Sequence, residues 1–467
     1  MRKSRDLVNG SIKDSIIQLA IPIFFANLLQ VSYKLIDLFF VGRLGKEAIA
    51  AISVSFPILF LIVSLSIGFA MAGNILVSQY KGDQNSKKVN HTATQTFVVV
   101  LAASIIISIL GFIYAPFILS FMELENQVLR YSIQYMRTYF LGLPFLFTYG
   151  ISQGLMRGVG DVKTPLRIVL VTVLLNIILD PLLIFGIGPF PKLEVFGAAI
   201  ATVFSQGVSA IVCISIFLSN KYQVKMNFKN YRPDFKILKK VFFLGIPSSL
   251  ETTARAFATT VMVFIISNLG TVTTAAYGIG AKIFNVITIP AFALSIATTT
   301  IVGQNIGAGN KTKAKETMMK SIKYAVFLLS VLGIISFIFS TQLSQIFTND
   351  IDVINQTSNF IKFLSVSFWI LGIQVIINGA LRGSGNTKNA MFITITSLWI
   401  IRIPIALIMI NFLGMNQIGI WLSFPVSEIF ALIFSLIVIN KTNWLDKKTI
   451  NKKDEKSIVK TNPIKSA

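Results

Sequence analysis

A single cysteine and a single histidine stand in 467 residues, and this scarcity closes several routes at once. One cysteine, Cys213 in an apolar stretch, permits neither a disulfide framework nor a cysteine-based metal site. One histidine and no nucleophile or metal-ligand motif leave a membrane-embedded enzyme little to work with. No catalytic residue, resident metal or cofactor is expected. His91 itself, at a helix start beside a loop, reads as a solvated surface residue. Charge is scarce as well. Only 13% of the residues are charged, against about 25% in soluble domains. That is too little polar surface for a water-facing shell, so lipid must solvate much of the chain.

What the sequence has in quantity is apolar: 54% hydrophobic residues, with 39 Phe. A spanning helix needs roughly 20 predominantly apolar residues, and about twelve such segments can be placed. The first six run near Ile16–Val41, Ala51–Val77, Thr94–Tyr114, Val128–Met156, Pro165–Ile187 and Val195–Leu218. The second six run near Ile237–Leu269, Ala275–Val302, Ile322–Phe339, Ile354–Leu381, Ala390–Phe412 and Ile418–Ile439. A membrane β-barrel would show short alternating segments instead. The basic start of the chain followed by an apolar run resembles a signal peptide, but the run is long and lacks a small-residue cleavage pattern. It reads as a retained first helix.

Lys and Arg in short loops mark the cytoplasmic side. Arg2, Lys3 and Arg5 lie at the amino terminus, and every second connection is basic, as at Lys81–Lys88, Arg157–Arg167, Asn220–Lys240, Asn310–Lys323 and Arg382–Lys388. The alternate connections are neutral or acidic, as with Glu123 and Glu125 or Asp350 and Asp352. Both termini are therefore expected in the cytoplasm, in a cell membrane. The net charge of +23 belongs to these loops and the tail, where it orients helices and meets anionic lipid. It is no signal for nucleic acid.

The halves repeat. Ile21-Pro22 recurs as Ile246-Pro247, an offset of 225 residues. At the same offset Leu44-Gly45 recurs as Leu269-Gly270, and Gln79, Gly82 and Asn85 recur as Gln304, Gly307 and Asn310. Arg157-Gly158, Gly160 and Lys163 recur as Arg382-Gly383, Gly385 and Lys388. Six helices per half is an even number, so both halves enter the membrane in the same orientation, as parallel repeats. The expected organisation is a first lobe over 1–219, a basic linker over 220–240, a second lobe over 241–440 and a Lys-rich tail over 441–467. The fold class is an all-α integral membrane protein of about twelve helices in two six-helix lobes.

Ionisable residues within spanning segments are costly and mark function by default. Asp37 lies in the first segment and Asp180 in the fifth. Asn176 and Asp180 are four apart and share a helix face, as do Tyr33 and Asp37. Low dielectric favours the neutral carboxyl, and a second carboxylate nearby adds like-charge repulsion. Such a pair can load a proton and release it when its surroundings open or a cation arrives. The competing reading pairs Asp37 with Lys34, and Asp180 with backbone freed at Pro181. The repeat puts Met262 and Ile405 at the counterpart positions, so the acids belong to the first lobe alone. In the second half, Glu251 and Arg255 are four apart and can form a buried pair that fixes packing; with Glu428, a second ion or substrate site is the lesser reading. Lys282 and Arg402 also stand in spanning segments. Prolines such as Pro22 mark kinks, and bending there can couple protonation of Asp37 to helix shape.

These residues resemble the multidrug and toxic compound extrusion (MATE) family, from about Ser15 to Asn440. The resemblance rests on Asp37 with Gly42-Arg43-Leu44-Gly45, the paired Ile-Pro helix starts, Gln79 and Gln304 with their following glycines, and the Arg-Gly-x-Gly-Asp/Asn turns at 157–161 and 382–386. Asn176 with Asp180-Pro181 is similar to the DinF-like prokaryotic branch. The resemblance implies export of cationic amphipathic small molecules in exchange for H+ or Na+, by a monomer in contact with membrane lipid. It implies a first-lobe cluster of Asp37, Asp180 and Asn176 with Tyr33, Tyr135, Thr202 and Gln153, a possible Na+ position between the two acids, and a hinge at Pro22. Gln153 departs from the usual Asn, which Asn378 keeps in the second repeat, and Lys34 departs from an uncharged residue. The alternative is a flippase for lipid-linked precursors from the related superfamily, which tends to have about fourteen helices or a basic central cavity; neither is evident in the sequence.

Overall fold

The computed structural model describes residues 6–219, 222–229, 231–447 and 449–450. The basic residues Arg2, Lys3 and Arg5 and the tail beyond 450 lie outside the described residues. Twelve long helices carry the architecture: α1 (Ile12–Gly42), α2 (Lys46–Gly82), α3 (Ser86–Ser120), α4 (Asn126–Gly158), α5 (Lys163–Phe185) and α6 (Glu194–Leu218) in the first lobe. The second lobe has α7 (Phe235–Ser267), α8 (Thr271–Gly307), α9 (Lys311–Ile338), α10 (Ile351–Gly383), α11 (Thr387–Asn411) and α12 (Asn416–Lys441). Among the described residues, eleven of these are long and apolar enough to cross a membrane. The exception is α4, which carries Arg130, Gln134 and Arg137 near its start. Arg137 is accommodated over the Phe112 ring, with its Nε donating to the Phe112 carbonyl at 3.3 Å.

The helices begin and end where capping chemistry dictates. Asn85 accepts from the Lys88 N–H at 3.0 Å and Asn310 from the Lys313 N–H at 3.1 Å, so these two repeated residues are the N-caps of α3 and α9. For that reason α9 starts at Lys311, three turns before the apolar run near Ile322. Gly160 and Gly385, also repeated, have φ of 85° and 89°. Only glycine takes this left-handed turn without strain. A short helix, Ser340–Gln345, interrupts the end of α9, and α11 contains a π-helical stretch, Thr396–Arg402. Pro404 follows after Ile403. Its ring displaces the carbonyl one turn back, and the widened turn absorbs the misfit.

Packing crosses the lobes at the end bearing both termini. Ile12, Ile16, Leu19 and Ile23 of α1 are buried with Ile301, Val302 and Ile376 of the second lobe. In return Ile237, Val241 and Leu244 of α7 are buried with Leu76, Val77 and Phe97 of the first. Between lipid-solvated helices, close approach of small residues replaces a hydrophobic driving force. At Gly82 an added Cβ would fall within the radius of the Gln304 carbonyl, and at Gly307 within that of the Gln79 carbonyl. The crossing of α2 and α8 therefore requires both glycines.

The connection between the lobes is docked rather than loose. Val224 and Met226 are buried in the first-lobe core. His91 corrects its reading as a solvated residue: it is half-buried, and its Nε2 lies 3.1 Å from Asp234 Oδ2. Asp234 also caps α7, accepting from the Lys236 N–H at 3.0 Å. The partner lies 143 residues away in sequence, beyond the reach of local patterning.

Candidate functional site in the first lobe

The polar residues of α1 lie opposite its lipid-facing stripe. Ile21, Phe25, Leu35 and Phe39 are exposed, and at about 100° per residue they fall on one side of the helix. Gln30, Tyr33 and Asp37 fall on the other. The Tyr33 and Thr202 hydroxyls are 2.8 Å apart, which ties α1 to α6. On α5, Asn176 Nδ2 donates to Asp180 Oδ1 at 3.1 Å, and both residues are wholly buried. Asp37 acts electrostatically on Tyr33, Tyr135, Tyr139 and Asp180. The carboxylates of α1 and α5 and the tyrosines of α4 thus form one neighbourhood.

Three oxygens in that neighbourhood are buried without a hydrogen-bond donor: Asp37 Oδ1, Asp180 Oδ2 and Asn176 Oδ1. Buried acceptors without donors cost roughly 1–3 kcal/mol each, more for charged groups. A proton or a small cation would satisfy them. Among the described residues neither Asp37 nor Asp180 has an ion pair, and Lys34 is exposed rather than bonded to Asp37.

Gln153 faces a different set. It donates to the Tyr149 hydroxyl and accepts from Arg157 Nη2 at 2.9 Å. Pro22 is buried in α1, fifteen residues before Asp37, where the helix packs against the second lobe.

In the second lobe the sequence pairing of Glu251 is incomplete. Arg382 Nη1 donates to Glu251 Oε1 and Oε2 at 3.2 and 3.3 Å, and the Thr394 hydroxyl donates to Oε1 at 3.2 Å. Arg255 is farther, at 4.0 Å. Glu428 pairs with Arg402 at 2.6 Å. Spacing along a helix exposes the Arg255 contact but not one made 131 residues away. The available signal was Arg382 itself, a repeated residue with Arg157 as its counterpart.

The repeat also contains a pair of cross-lobe contacts that sequence reasoning left without a role. Gln79 Nε2 donates to the Gly383 carbonyl at 3.0 Å, and Gln304 Nε2 to the Gly158 carbonyl at 2.9 Å. Each glutamine reaches the end of the opposite lobe's Arg-Gly helix.

Two stretches of the chain, residues 22–182 and 247–408, match the family model MatE, and their starts are separated by the repeat offset. The chain is 28% identical over 417 residues to a probable multidrug resistance protein, YoeA, of Bacillus subtilis, covering 88% of this chain and 90% of that one. It is 27% identical over 438 residues to an FAD transporter of Shewanella oneidensis, covering 92% and 94%. In fold it is similar to the outward-facing conformation of a multidrug resistance MATE family transporter of the MOP superfamily, with a TM-score of 0.89 at 21% identity, over 99% of this chain and all of that one. Doubled helices, a one-sided acidic cluster and a family match in both repeats lead to one conclusion: this chain belongs to the MatE family, the multidrug and toxic compound extrusion transporters.

Proposed function

We propose that the chain is a secondary active multidrug efflux transporter that exports cationic amphipathic compounds by antiport with H+ or Na+. The observation that carries this reading is the set of three donorless buried oxygens on Asp37, Asp180 and Asn176. A proton on one carboxyl, or Na+ shared among the three, meets their need directly. Tyr33, Tyr135 and Thr202 surround the same carboxylates, while Gln153 stands apart from them with Tyr149 and Arg157. No enzymatic step is involved.

Alternating access supplies the transport. The lobes, 1–219 and 241–440, rock about the linker at 220–240, with Pro22 as the point where α1 bends. Loading an ion on the first lobe neutralises charge that would otherwise hold a cationic substrate, so ion binding and substrate binding exclude one another and ion entry drives substrate release. The transporter works in the plasma membrane as a monomer, with both termini and the tail at 441–467 in the cytoplasm. The Lys and Arg distribution supports that orientation, and the match to transporters named for multidrug resistance supports this reading over a flippase.

The test is efflux of a cationic dye from vesicles holding the purified protein, under an imposed pH gradient and, separately, an imposed Na+ gradient. Dye movement driven by one of the two identifies the ion. Flipping of a labelled lipid precursor without dye movement would overturn the reading.

A further inference from the structure

One face of α4 is apolar at depth and cationic towards its start. Leu141 and Phe145 are exposed on it, and at about 100° per residue Arg130, Gln134 and Arg137 fall in line with them. Tyr135 and Tyr139, which stand with Asp37, lie on the opposite face. The flanks of the stripe are packed. An added Cβ on Gly111 of α3 would meet Phe140, and one on Gly142 would meet Val203 of α6. The stripe therefore points away from the lobe, into the surrounding lipid.

Arg137 is held there by a break in the neighbouring helix. Pro116 stands inside α3 and has no N–H, so the Phe112 carbonyl four residues earlier loses its intrahelical donor. Arg137 Nε supplies the missing bond at 3.3 Å, with the guanidinium 5.1 Å from the Phe112 ring centroid. That bond uses one of five N–H donors. The other four, on Nη1 and Nη2, have no partner among the described residues. Among the same residues neither Arg130 nor Arg137 forms an ion pair. Glu194 feels the charge of Arg130, but it is already engaged by the Tyr131 hydroxyl at 2.6 Å and by Lys192 at 3.2 Å. Uncompensated guanidinium facing lipid is costly and signals a function. The second repeat keeps a cation at the counterpart of Arg137, Lys362.

The depth of these groups fits the phosphate layer of a bilayer. The 33 residues of α4 span about 50 Å, against a hydrocarbon core about 30 Å thick. With the helix centred, Arg130 lies in the headgroup layer and the Cα of Arg137 about 6 Å below its edge. A helical side chain leans towards the helix start, here the membrane surface opposite the chain termini, so the Arg137 guanidinium rises to that edge. Its planar fork matches a phosphate through paired N–H donors. We propose that Arg137, with Arg130 and Gln134 nearer the surface, holds the phosphate of an anionic phospholipid whose acyl chain lies along Leu141 and Phe145. A zwitterionic lipid would bring a second cation against Arg130, so the site selects lipids of net negative charge. The proposal stands whichever ion drives transport.

The test places a bimane fluorophore on Leu141→Cys in the full-length protein with Cys213 replaced by Ala. Vesicles of phosphatidylcholine carry a small fraction of nitroxide-labelled phosphatidylglycerol or nitroxide-labelled phosphatidylcholine, and quenching reports which lipid sits at the stripe. Phosphatidylglycerol is expected to show a relative affinity about fivefold higher, the preference that one cation at a membrane surface gives. The same fluorophore on Phe430→Cys, exposed on α12 at a similar distance from the same end, should show no preference. Arg137→Gln should abolish the preference at Leu141, and Arg137→Lys should keep part of it, retaining charge but not the fork. Arg137→Gln combined with Pro116→Ala returns a donor to the Phe112 carbonyl and should still lack the preference. Its return in that double variant would show that Arg137 only mends α3, and would overturn the proposal. So would equal quenching by both lipids, an equal preference at Phe430, or no quenching at Leu141 by either lipid, which would mean that protein covers the stripe.

Discussion

Gln79 donates to the carbonyl of Gly383, 304 residues away in the chain, and this contact has a twin in which Gln304 donates to Gly158. Gln79 also accepts from the Thr449 N–H at 3.0 Å. The two lobes are therefore interlocked at the end bearing the termini, by one residue from each repeat. Each bond satisfies a carbonyl at a helix end that has no intrahelical partner. The lock is reciprocal because the sequence is duplicated, and it can open only if both bonds exchange partners.

Side chains at Gly82 or Gly307 should break the lock. Gly82→Val would place its side chain against the Gln304 backbone, which cannot yield without separating α2 from α8. The expected result is a population shifted towards opening at this end. With Cys213 replaced by Ala, a Ser78→Cys reporter, buried in the parent, should react with a membrane-impermeant maleimide about tenfold faster in the Gly82→Val background, equivalent to ~1.4 kcal/mol. Unchanged labelling would mean that the α2–α8 crossing is not part of the closure.

The carboxy-terminal segment should reinforce the same closure. Trp444 is buried with second-lobe residues and Ile450 with first-lobe residues, while Lys311 and Asp446 form an ion pair. The segment thus straps one lobe to the other. Truncation after Lys441 should speed labelling of Ser78→Cys, and Trp444→Ala should lower thermal stability by roughly 3–5 kcal/mol if the site does not collapse. Thermal unfolding of the two variants beside the parent measures both effects.

Loss of Glu251 should destabilise the second lobe more than it changes ion coupling. Glu251→Gln strands Arg382. Breaking a buried ion pair by removing one partner costs about 3–5 kcal/mol. The double replacement Glu251→Leu with Arg382→Met should recover much of that loss, since it removes the stranded charge at Arg382. Melting curves of the single and double variants decide this, and equal instability of both would argue that the bond from Arg382 Nη2 to the Ser295 hydroxyl, at 3.0 Å, matters as much as the pair with Glu251.

Asn176 should matter through Asp180. Its side-chain N–H is the hydrogen bond that Asp180 receives, and its own oxygen is one of the three buried acceptors without a donor. Asn176→Ala should weaken the coupling ion by about tenfold or more, since hydrogen bonds to charged groups contribute about 1.5–3 kcal/mol. The half-saturating ion concentration for dye export measures this. A lowered maximal rate with unchanged ion dependence would show Asn176 to be structural only.

The fold was largely legible because each spanning helix must satisfy its backbone internally and present an apolar surface. The limits of that legibility follow from the same physics. Twelve runs and one offset were readable, since both depend on local composition and register. The π-helical turn before Pro404 was not readable, because the misfit has several resolutions and packing selects among them. The positions of Asp37 and Asp180 were readable from their cost in lipid. The partner of Glu251 was not, because Arg382 comes from another helix. The repeated anchors were visible as letters before their separate duties were: Asn85 and Asn310 cap helices, Gly82 and Gly307 let helices cross, and Gln79 and Gln304 lock the lobes. Arg157 and Arg382 show the opposite behaviour, with one frame position used for Gln153 in the first lobe and for Glu251 in the second.

The central claim is that Asp37 couples an ion to substrate movement, and ion flux evoked by the substrate tests it most directly. Vesicles containing the parent protein, given a dye gradient and no ion gradient, should move H+ or Na+ in the direction opposite to the dye. The same vesicles with Asp37→Asn should bind dye and show no ion movement. Undiminished ion movement in Asp37→Asn would contradict the account.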